Sequence, residues 1–377
     1  MPQSRFVLTT VGTSLLLNSL TPDENPVWRN RLNNETNAKT LPPDLISQVE
    51  ELQKRAVNNL RRGDVQSRRQ LSAELNGIYA IYENQLSRSR GDTHWLITTD
   101  TAMGAIVANI LTTFLREEGI ICDVHTPPDL STSDAHSFSK GIKSLLHWCE
   151  QTIPPCRDGG QHIIFNLTGG FKSLQGYLTI AGMFYADQVV YIFEKGSQLL
   201  SIPRLPIRVD IDALYAHRMQ LAMMAEGGHV FPIEQVADIP AGMLDVDNSH
   251  ATLSDWGLLV WNRARKEMLS QELLGFPRLE YERSFRKDFD EAEQVDRVKL
   301  HETLAKVSSL LEGSQGDVSV LKRHGGVQYS ILTSKKTSDG RNIDHFRVSQ
   351  SLRVTCVTEG GTLRLRRFGG HEIEQNP

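Results

Sequence analysis

The sequence predicts an α/β protein that begins with a doubly wound parallel sheet, and three observations support this. Short apolar runs alternate with segments of helical spacing through roughly the first 200 residues, which is the pattern of repeated β-α-β units. A glycine-rich turn at 166–173 joins one of these runs to the helical segment that follows it. From about residue 278, two helical segments precede a series of short strands, which is the order of an α+β domain.

The elements of the parallel sheet follow from the spacing of apolar residues. Strands are expected at 5–10, 95–98, 120–125, 163–165 and 189–193. Helices are expected at 102–118, 134–152 and 173–185, with a turn at 154–160. A long polar insertion at 21–92 follows the first strand, and its segments 44–61 and 66–86 are predicted to be two surface helices.

Three of these strands end in small polar residues, at the edge where doubly wound sheets bind their ligands. The candidate ligand-binding residues are Gly12, Thr13, Ser14, Thr99, Asn166, Thr168, Gly169, Gly170 and Lys172. Backbone N–H groups at the start of a helix, beside a lysine, favour a phosphate. The turn lacks the glycine spacing of a P-loop and of a dinucleotide fingerprint, so those two nucleotide-binding classes are excluded. An ordinary turn with a surface lysine would have the same sequence.

The composition is that of a soluble, cytoplasmic protein of two or three domains, with 377 residues, a formal net charge of −4 and 39% hydrophobic residues. We expect neither a signal peptide nor a membrane-spanning segment. The four cysteines are scattered without a CxxC pair, which predicts reduced thiols and no structural zinc. They are Cys122, Cys149, Cys156 and Cys356.

Residues 1 to about 210 resemble the CARF domain, the CRISPR-associated Rossmann fold, because VGTS after the first strand and NLTGGFKS at 166–173 match its two ligand-binding motifs. The resemblance implies a Rossmann-like sensor at 1–205 that binds cyclic tetra- or hexa-adenylate across the two-fold axis of a homodimer. It assigns the ligand to the candidate residues given above other than Thr99, which is a candidate only because it follows a strand end. It also suggests that the same pocket slowly cleaves the ligand. In that reaction the hydroxyls of Thr13, Ser14 or Thr168 would position the attacking ribose 2′-OH. The insertion departs from the compact family pattern.

The region 206–277 is predicted to be a helical or winged-helix-like connector. Helices are expected at 212–224 and 255–274, on either side of a stretch with glycine, proline and short apolar runs. A winged helix suggests DNA binding, although this region has little Lys or Arg outside 263–266. A ligand-responsive transcription regulator therefore stays an alternative.

The predicted C-terminal domain, 278–377, has an acidic helical part and a basic sheet. Helices are expected at 282–294 and 298–311, and strands at 317–322, 327–333, 344–349, 352–358 and 362–368. The net charge is −2 over 281–315 and +6 over 316–371. Alternation along the strands places Arg347, Arg353 and Arg366 opposite the core. That face is predicted either to bind a phosphodiester backbone or to be a solvated surface that avoids edge pairing.

The order of two helices followed by an arginine-bearing sheet resembles the RelE-like mRNA interferase toxins. By family position Arg347 and Arg353 correspond to the strand arginines, His371 to a terminal histidine, and Lys335 and Lys336 to the family's lysines. Arg366 completes the candidate catalytic set. The resemblance implies metal-independent attack by the RNA 2′-OH on ribosome-bound mRNA, with no cofactor.

Together the two resemblances describe a CRISPR-associated mRNA interferase of type III antiviral systems, activated by cyclic oligoadenylate. The other enzyme considered is a HEPN ribonuclease, because Arg366 and His371 fit its R-x4-H spacing. That motif belongs on a helix, whereas here two glycines follow a predicted strand.

Overall fold

The computed structural model describes residues 3–193, 196, 198–375 and 377. The chain divides into two compact units, Met1–Ile207 and Arg208–Pro377. Each unit contains its own sheet and helices, so the protein is a mixed α/β structure. The predicted end of the first domain, residue 205, lies two residues before this division.

Six strands form the sheet of the first unit. They are β1 (Arg5–Thr10), β2 (Thr93–Ile97), β3 (Ile121–His125), β4 (His162–Asn166), β5 (Gln188–Ile192) and β6 (Leu199–Pro203). Their order in the sheet is β3-β2-β1-β4-β5-β6. The first five are parallel and β6 is antiparallel to β5. The predicted parallel sheet is confirmed with shifted strand ends, and β6 was not predicted.

Eight helices of the first unit lie in the described residues. They are α1 (Ser14–Leu17), α2 (Asn25–Asn34), α3 (Pro43–Arg62), α4 (Val65–Leu71), α5 (Ala73–Ile81), α6 (Ala102–Glu117), α7 (Ala135–Asp158) and α8 (Lys172–Tyr185). Both faces of the sheet are covered. Val7 packs with Ile81 of α5 on one face, while the ring of Phe6 lies 6.5 Å from that of Trp148 in α7 on the other. The run of buried residues in β1 reflects this double cover.

The insertion at 21–92 is part of the core, so the prediction of two surface helices was wrong. Leu45, Val49 and Leu52 of α3 are buried. An apolar stripe at this spacing packs against whatever apolar surface is nearest, and the sequence does not say which surface that is. The second predicted helix breaks at Ser72, whose extended backbone ends α4 and whose hydroxyl caps α5 by accepting from the N–H of Leu75.

Helix α7 also differs from its predicted extent. It continues through most of the predicted turn at 154–160 and ends at Asp158, with Pro154 and Pro155 inside it. A proline pair is ordinarily a helix breaker because it removes backbone donors. Here the apolar side of α7 continues to the buried Ile153, next to the prolines.

The second unit has two sheets. Its strands are β7 (Phe231–Pro232), β8 (Leu244–Asp247), β9 (His250–Leu253), β10 (Leu279–Tyr281), β11 (Ser330–Lys336), β12 (Asn342–Arg347), β13 (Arg353–Glu359) and β14 (Thr362–Gly369). The smaller sheet is antiparallel with the order β7-β9-β8. The larger has the order β10-β14-β13-β12-β11, in which only β10 and β14 pair in parallel.

The helices of the second unit surround these sheets. They are α9 (Asp212–Tyr215), α10 (Arg218–Gly227), α11 (Asp255–Leu269), α12 (Arg283–Glu291), α13 (Gln294–Gly313) and α14 (Ser319–Arg323), followed by a 3-10 turn at His371–Glu374. One hydrophobic cluster includes Trp261 of the predicted connector and Phe285 and Phe346 of the predicted C-terminal domain. The regions 206–277 and 278–377 therefore share a core.

The predicted strand at 317–322 is helix α14, so that prediction was wrong. Asp317 accepts a hydrogen bond from the N–H of Ser319 at 2.9 Å, a local side-chain contact that competes with strand pairing. Of the apolar residues in this segment, Leu321 is the one that is fully buried. No helix in the described part of the chain is both long and apolar enough to cross a membrane.

Candidate functional sites

The first candidate site lies where the turns after β1 and β4 meet. A Cβ atom on Gly12 would lie 3.0 Å from the backbone nitrogen of Gly170. Gly170 has φ of +92°, and a Cβ there would lie 2.9 Å from the Cβ of Thr10. The hydroxyl of Thr10 donates to the carbonyl of Gly169 at 2.5 Å. These glycines are required because the two turns pack backbone to backbone.

A buried carboxylate occupies this junction. Glu74, at the start of α5, is fully buried and accepts from the N–H of Gly12 at 2.8 Å. Its other oxygen accepts from the hydroxyls of Ser14 at 3.1 Å and Ser72 at 2.7 Å. A Cβ on Gly169 would overlap the Glu74 carboxylate. The predicted phosphate site was the turn at 166–173, whereas these contacts to Glu74 come from the turn after β1 and from Ser72.

Asn166 holds the second turn in shape. It is fully buried, and its side-chain oxygen accepts from the N–H and hydroxyl of Thr168 at 3.3 and 2.8 Å. Its amide donates to the carbonyl of Glu74 at 3.3 Å. Gly77 of α5 packs so closely that a Cβ there would overlap Asn166. The insertion is therefore built into the candidate site.

The predicted ligand-binding residues differ in exposure. Thr13, Ser14, Thr168 and Gly170 are half-buried, Lys172 is exposed, and Gly12, Thr99, Asn166 and Gly169 are buried. The hydroxyl of Thr99 lies 3.0 Å from that of Thr101. Lys172 is the first residue of α8, and none of the described residues forms a hydrogen bond or ion pair with its ammonium group. Lys172 and the hydroxyl side chains at the rim are thus the ones within reach of a ligand.

A polar cavity of about 500 Å³ opens beside Thr168. Asn18, Asn76 and Arg69 line it together with the end of β5. Arg69 is 8% exposed and donates to Asn76 at 2.7 Å and to Asn84 at 2.6 Å. Burial lowers the pKa of its guanidinium. This buried cation comes from the insertion, and nothing in its local sequence marked it for the site.

The second candidate site is the face of the larger sheet opposite its core. Arg347 of β12 lies directly opposite Arg353 of β13 in the register, so both side chains lie on the same face. The next pair on that face is His345 and Thr355. Arg353 is 4% exposed, and it donates to the carbonyls of Ser349 and Leu352 at 2.7 and 2.9 Å. These two bonds fix the plane of its guanidinium.

The turn at His371–Glu374 completes a cluster around Arg353. The Nε2 atom of His371 lies 3.3 Å from the guanidinium. The Glu374 carboxylate lies 3.9 Å from Nε of Arg353, 3.8 Å from Nε2 of His345 and 3.7 Å from Nδ1 of His371. Arg347, Arg353 and His371, predicted separately, are brought together. His345 and Glu374 were not predicted, although His345 alternates with Arg347 and Glu374 is one helical turn after His371.

Electrostatics differ between members of this cluster. Burial lowers the pKa of His345; Glu374 opposes this shift, as does Asp344, and the charges of Arg353 and His371 add to it. Burial, and after it the charge of Arg347, lowers the pKa of Arg353. His345 is therefore held as a neutral imidazole at neutral pH.

Three buried polar atoms on this face have no hydrogen-bond partner among the described residues. They are Nδ1 of His345, Nε of Arg347 and Oγ1 of Thr355. Buried polar atoms are nearly always paired in proteins, so a group of unpaired ones marks a place where a ligand or water belongs. Across the residues that the structure covers, no group of three or more His, Cys, Asp or Glu side chains is placed to hold a metal ion.

The remaining predicted residues make no hydrogen bond or ion pair with Arg347, Arg353 or His371 in the contacts that the structure describes. Lys335 donates to the carbonyl of Gln375 at 2.6 Å, and Lys336 is exposed. Arg366 lies 3.8 Å from Glu282, near α12. Its neighbour Arg367 donates to both oxygens of Asp288, at 2.7 and 3.2 Å. These two arginines of β14 thus pair with acidic residues of the helical part, 281–315, whose net charge differs in sign from that of the sheet.

One comparison with known proteins bears on the first unit. Residues 69–205 match the family model described as CRISPR-associated protein (Cas_APE2256). The matched segment begins inside the insertion and includes Glu74, Asn166, the glycine turn and Lys172, while Gly12 and the whole second unit lie outside it. The match supports an association of this chain with CRISPR systems.

Proposed function

We propose that the protein is a ribonuclease of type III CRISPR defence, activated by cyclic oligoadenylate and directed at mRNA on the ribosome. The observation that carries the proposal is the pair Arg347 and Arg353 on one sheet face, with His371 of the following turn beside them and unpaired buried polar atoms on the same face. Residues 69–205 of the first unit match a CRISPR-associated family model, which supports a role in CRISPR defence.

The topology of the first unit supports a Rossmann-like CARF sensor. In the order β3-β2-β1-β4-β5, the strand sequence reverses between β1 and β4. Doubly wound sheets bind ligands at this switch point, beyond the carboxyl ends of the strands. The paired turns at Gly12 and Gly170 occupy that point. A cyclic oligoadenylate is recognised there through its phosphates and adenines.

Glu74 restricts how that ligand binds. The N–H of Gly12 already donates to the carboxylate, so the ligand phosphates are bound by the exposed Lys172 and by the hydroxyls of Thr13 and Thr168. The cavity beside Thr168, lined by amide side chains and Arg69, takes a base or ribose. A lysine suits a phosphate as a point charge.

A homodimer follows from the symmetry of the ligand. A ring of four or six identical nucleotides has a two-fold axis, and two copies of the same rim related by a C2 axis match it. We expect calorimetry to give one ring bound per two chains. A ratio of one ring per chain would contradict the shared site.

The second unit is proposed to be a RelE-like nuclease that uses the 2′-OH of the RNA as nucleophile. The 2′-oxygen attacks the adjacent phosphorus, the bond to the 5′-oxygen breaks, and the products are a 2′,3′-cyclic phosphate and a 5′-hydroxyl. Arg347 and Arg353 stabilise the charge on the phosphoryl oxygens. His371 takes part in proton transfer.

The HEPN alternative is not favoured by the position of its motif. Arg366 lies on β14 (Thr362–Gly369) and His371 lies in the 3-10 turn after it. A HEPN site needs both residues on a helix. Their spacing therefore reflects the end of a strand.

The test is cleavage of a short mRNA on purified ribosomes by the full chain, with cyclic tetra- or hexa-adenylate added. We expect rapid cleavage only when both ribosome and one of the two ligands are present, and weak cleavage of free RNA. The activity should persist when free divalent ions are lowered to the level that just keeps the ribosome intact. Ligand-independent cleavage, or no cleavage of ribosome-bound mRNA with either ring, would refute the proposal.

A further inference from the structure

His345 lies in the arginine cluster and has no role in the chemistry described so far. It projects from β12 onto the same face as Arg347, two residues away, and is 19% exposed. Its Nε2 atom lies 3.1 Å from the hydroxyl of Ser330. Both imidazoles, His345 and His371, lie beside the single carboxylate of Glu374, one at each oxygen.

Cleavage by a 2′-OH needs two proton transfers. A base takes the proton from the 2′-oxygen, and an acid gives one to the departing 5′-oxygen. A single histidine cannot do both at once on opposite sides of the phosphorus. Two histidines that flank one pair of arginines supply both functions.

We propose that His345 is a second catalytic residue of the nuclease, which accepts the 2′-OH proton while His371 protonates the leaving 5′-oxygen. The inference rests on the proposed function and deepens it. The proton on the 2′-oxygen moves to Nε2 of His345, the P–O5′ bond breaks, and the 5′-oxygen receives the proton of the His371 imidazolium. Reprotonation of His371 and deprotonation of His345 by solvent restore the enzyme.

The surroundings of each ring favour this division. His345 is enclosed by β11 with Ser330, by β13 with Arg353, by Arg347 and Asp344 of its own strand, and by Glu374 and His371 of the last turn. Burial is the largest cause that lowers the pKa of His345; it prevails over Glu374 and Asp344, which raise the pKa, and keeps the ring neutral, as a base requires. His371 is 63% exposed, with Nδ1 towards Glu374. The Glu374 carboxylate at that distance orients the ring.

Arg353 links the ring of His371 to the substrate site. A guanidinium can only donate hydrogen bonds, so Nε2 of His371 acts as the acceptor in their 3.3 Å contact. A phosphate bound by Arg353 takes over this donor. The Nε2 atom is then released to hold the proton for the 5′-oxygen, while Nδ1 stays oriented by Glu374.

The experiment compares two RNAs on the ribosome at saturating ligand, a normal RNA and one with sulfur in place of the scissile 5′-oxygen. A thiolate leaves without a proton. His345→Gln and His371→Gln should each slow cleavage of normal RNA by about 100-fold or more. The sulfur should restore the rate of His371→Gln and leave His345→Gln slow. His250→Gln, a change of an exposed histidine in the same unit, is the control and should keep the full rate.

The wild-type enzyme gives a second measurement that does not depend on how a variant folds. With normal RNA the rate should rise with pH as His345 loses its proton. The rising limb should have its midpoint below the ordinary histidine value of about 6.5. The sulfur RNA should show the same rising limb.

The outcomes separate the two claims. If wild type cleaves ribosome-bound mRNA but His345→Gln keeps its full rate, or is restored by sulfur, the role of His345 is refuted and the proposed function stands. If wild type cleaves neither RNA with either ring present, the proposed function fails and this inference fails with it.

Discussion

At the scale of single residues, Gly170 shows how close the two turns of the first candidate site are. Its φ of +92° is strained for any residue with a side chain, and a Cβ would press against Thr10. Gly170→Ala should therefore lower the free energy of unfolding of the first unit by about 1–3 kcal/mol. Chemical denaturation measures this.

Gly176 is the matched control for Gly170. It lies in the helix that follows the turn, α8, with open space around the position of a Cβ. Alanine there should stabilise by about 0.5–1 kcal/mol because it has the better helix propensity. Equal effects from the two substitutions would show that the turns do not pack as described.

At the scale of elements, α5 connects the insertion to the candidate site through Glu74. Glu74→Ala removes the acceptor of Gly12, Ser14 and Ser72 at once, leaving buried donors unpaired. We expect a loss of about 2–4 kcal/mol in the stability of the first unit. Glu50→Ala, an exposed position on α3, is the control and should change stability by less than about 0.5 kcal/mol. If the Glu74→Ala protein were as stable as the control, Glu74 would not be the acceptor that holds these donors together.

Helix α13 contributes a buried histidine that makes the second unit sensitive to acid. His301 lies between the carbonyl of Leu269 at 2.7 Å and the N–H of Leu274 at 3.1 Å. Burial lowers its pKa to about 4. The unfolded state takes up a proton near pH 6.5 while the folded state does not, so stability falls as the pH drops from about 6.5 to 4.

The measurement is the free energy of unfolding of the second unit across that pH range. The histidine alone accounts for a loss of about 2–3 kcal/mol. His301→Gln should be less stable at neutral pH and should lose less on acidification. If both proteins lost stability in parallel, His301 would not be the group responsible.

The parallel sheet could be predicted from the sequence because the spacing of apolar residues and the choice of turn residues are local signals. β1 and β4 and their polar ends were found in this way. Contacts between distant segments could not be predicted in this way. Glu74 of the insertion contacts the turn after β1, and Asp288 of α12 binds Arg367 of β14. The sequence around Glu74 and around Asp288 has no feature that indicates these contacts.

The cluster around Arg353 was predicted in part for the same reason. Strand alternation alone places Arg347 and Arg353 on one face, and the same rule would have included His345 had it been applied to one more residue. Glu374 could not be placed, because the turn that carries it is held against the sheet by the buried side chain of Ile373. A short turn after a strand has no periodicity from which its position could be predicted.

At the scale of the whole molecule, we propose that one unit senses the ligand and the other cleaves RNA. A change in the sensor should then alter how much ligand is needed, and a change in the nuclease should alter the maximal rate. Lys172 and Arg353 are the residues that separate the two effects. Lys54, exposed on α3, is the control for the loss of a surface lysine.

The most direct test is the rate of cleavage of ribosome-bound mRNA as a function of cyclic oligoadenylate concentration. Lys172→Ala should shift the half-maximal concentration upward by about 5- to 150-fold, the loss of about 1–3 kcal/mol in one charge-assisted contact, with the plateau unchanged. Arg353→Ala should lower the plateau by two or more decades with the half-maximal concentration unchanged. Lys54→Ala should match wild type. If Arg353→Ala left the maximal rate unchanged, or Lys172→Ala left the half-maximal ligand concentration unchanged, the proposed division between sensing and cleavage would be contradicted.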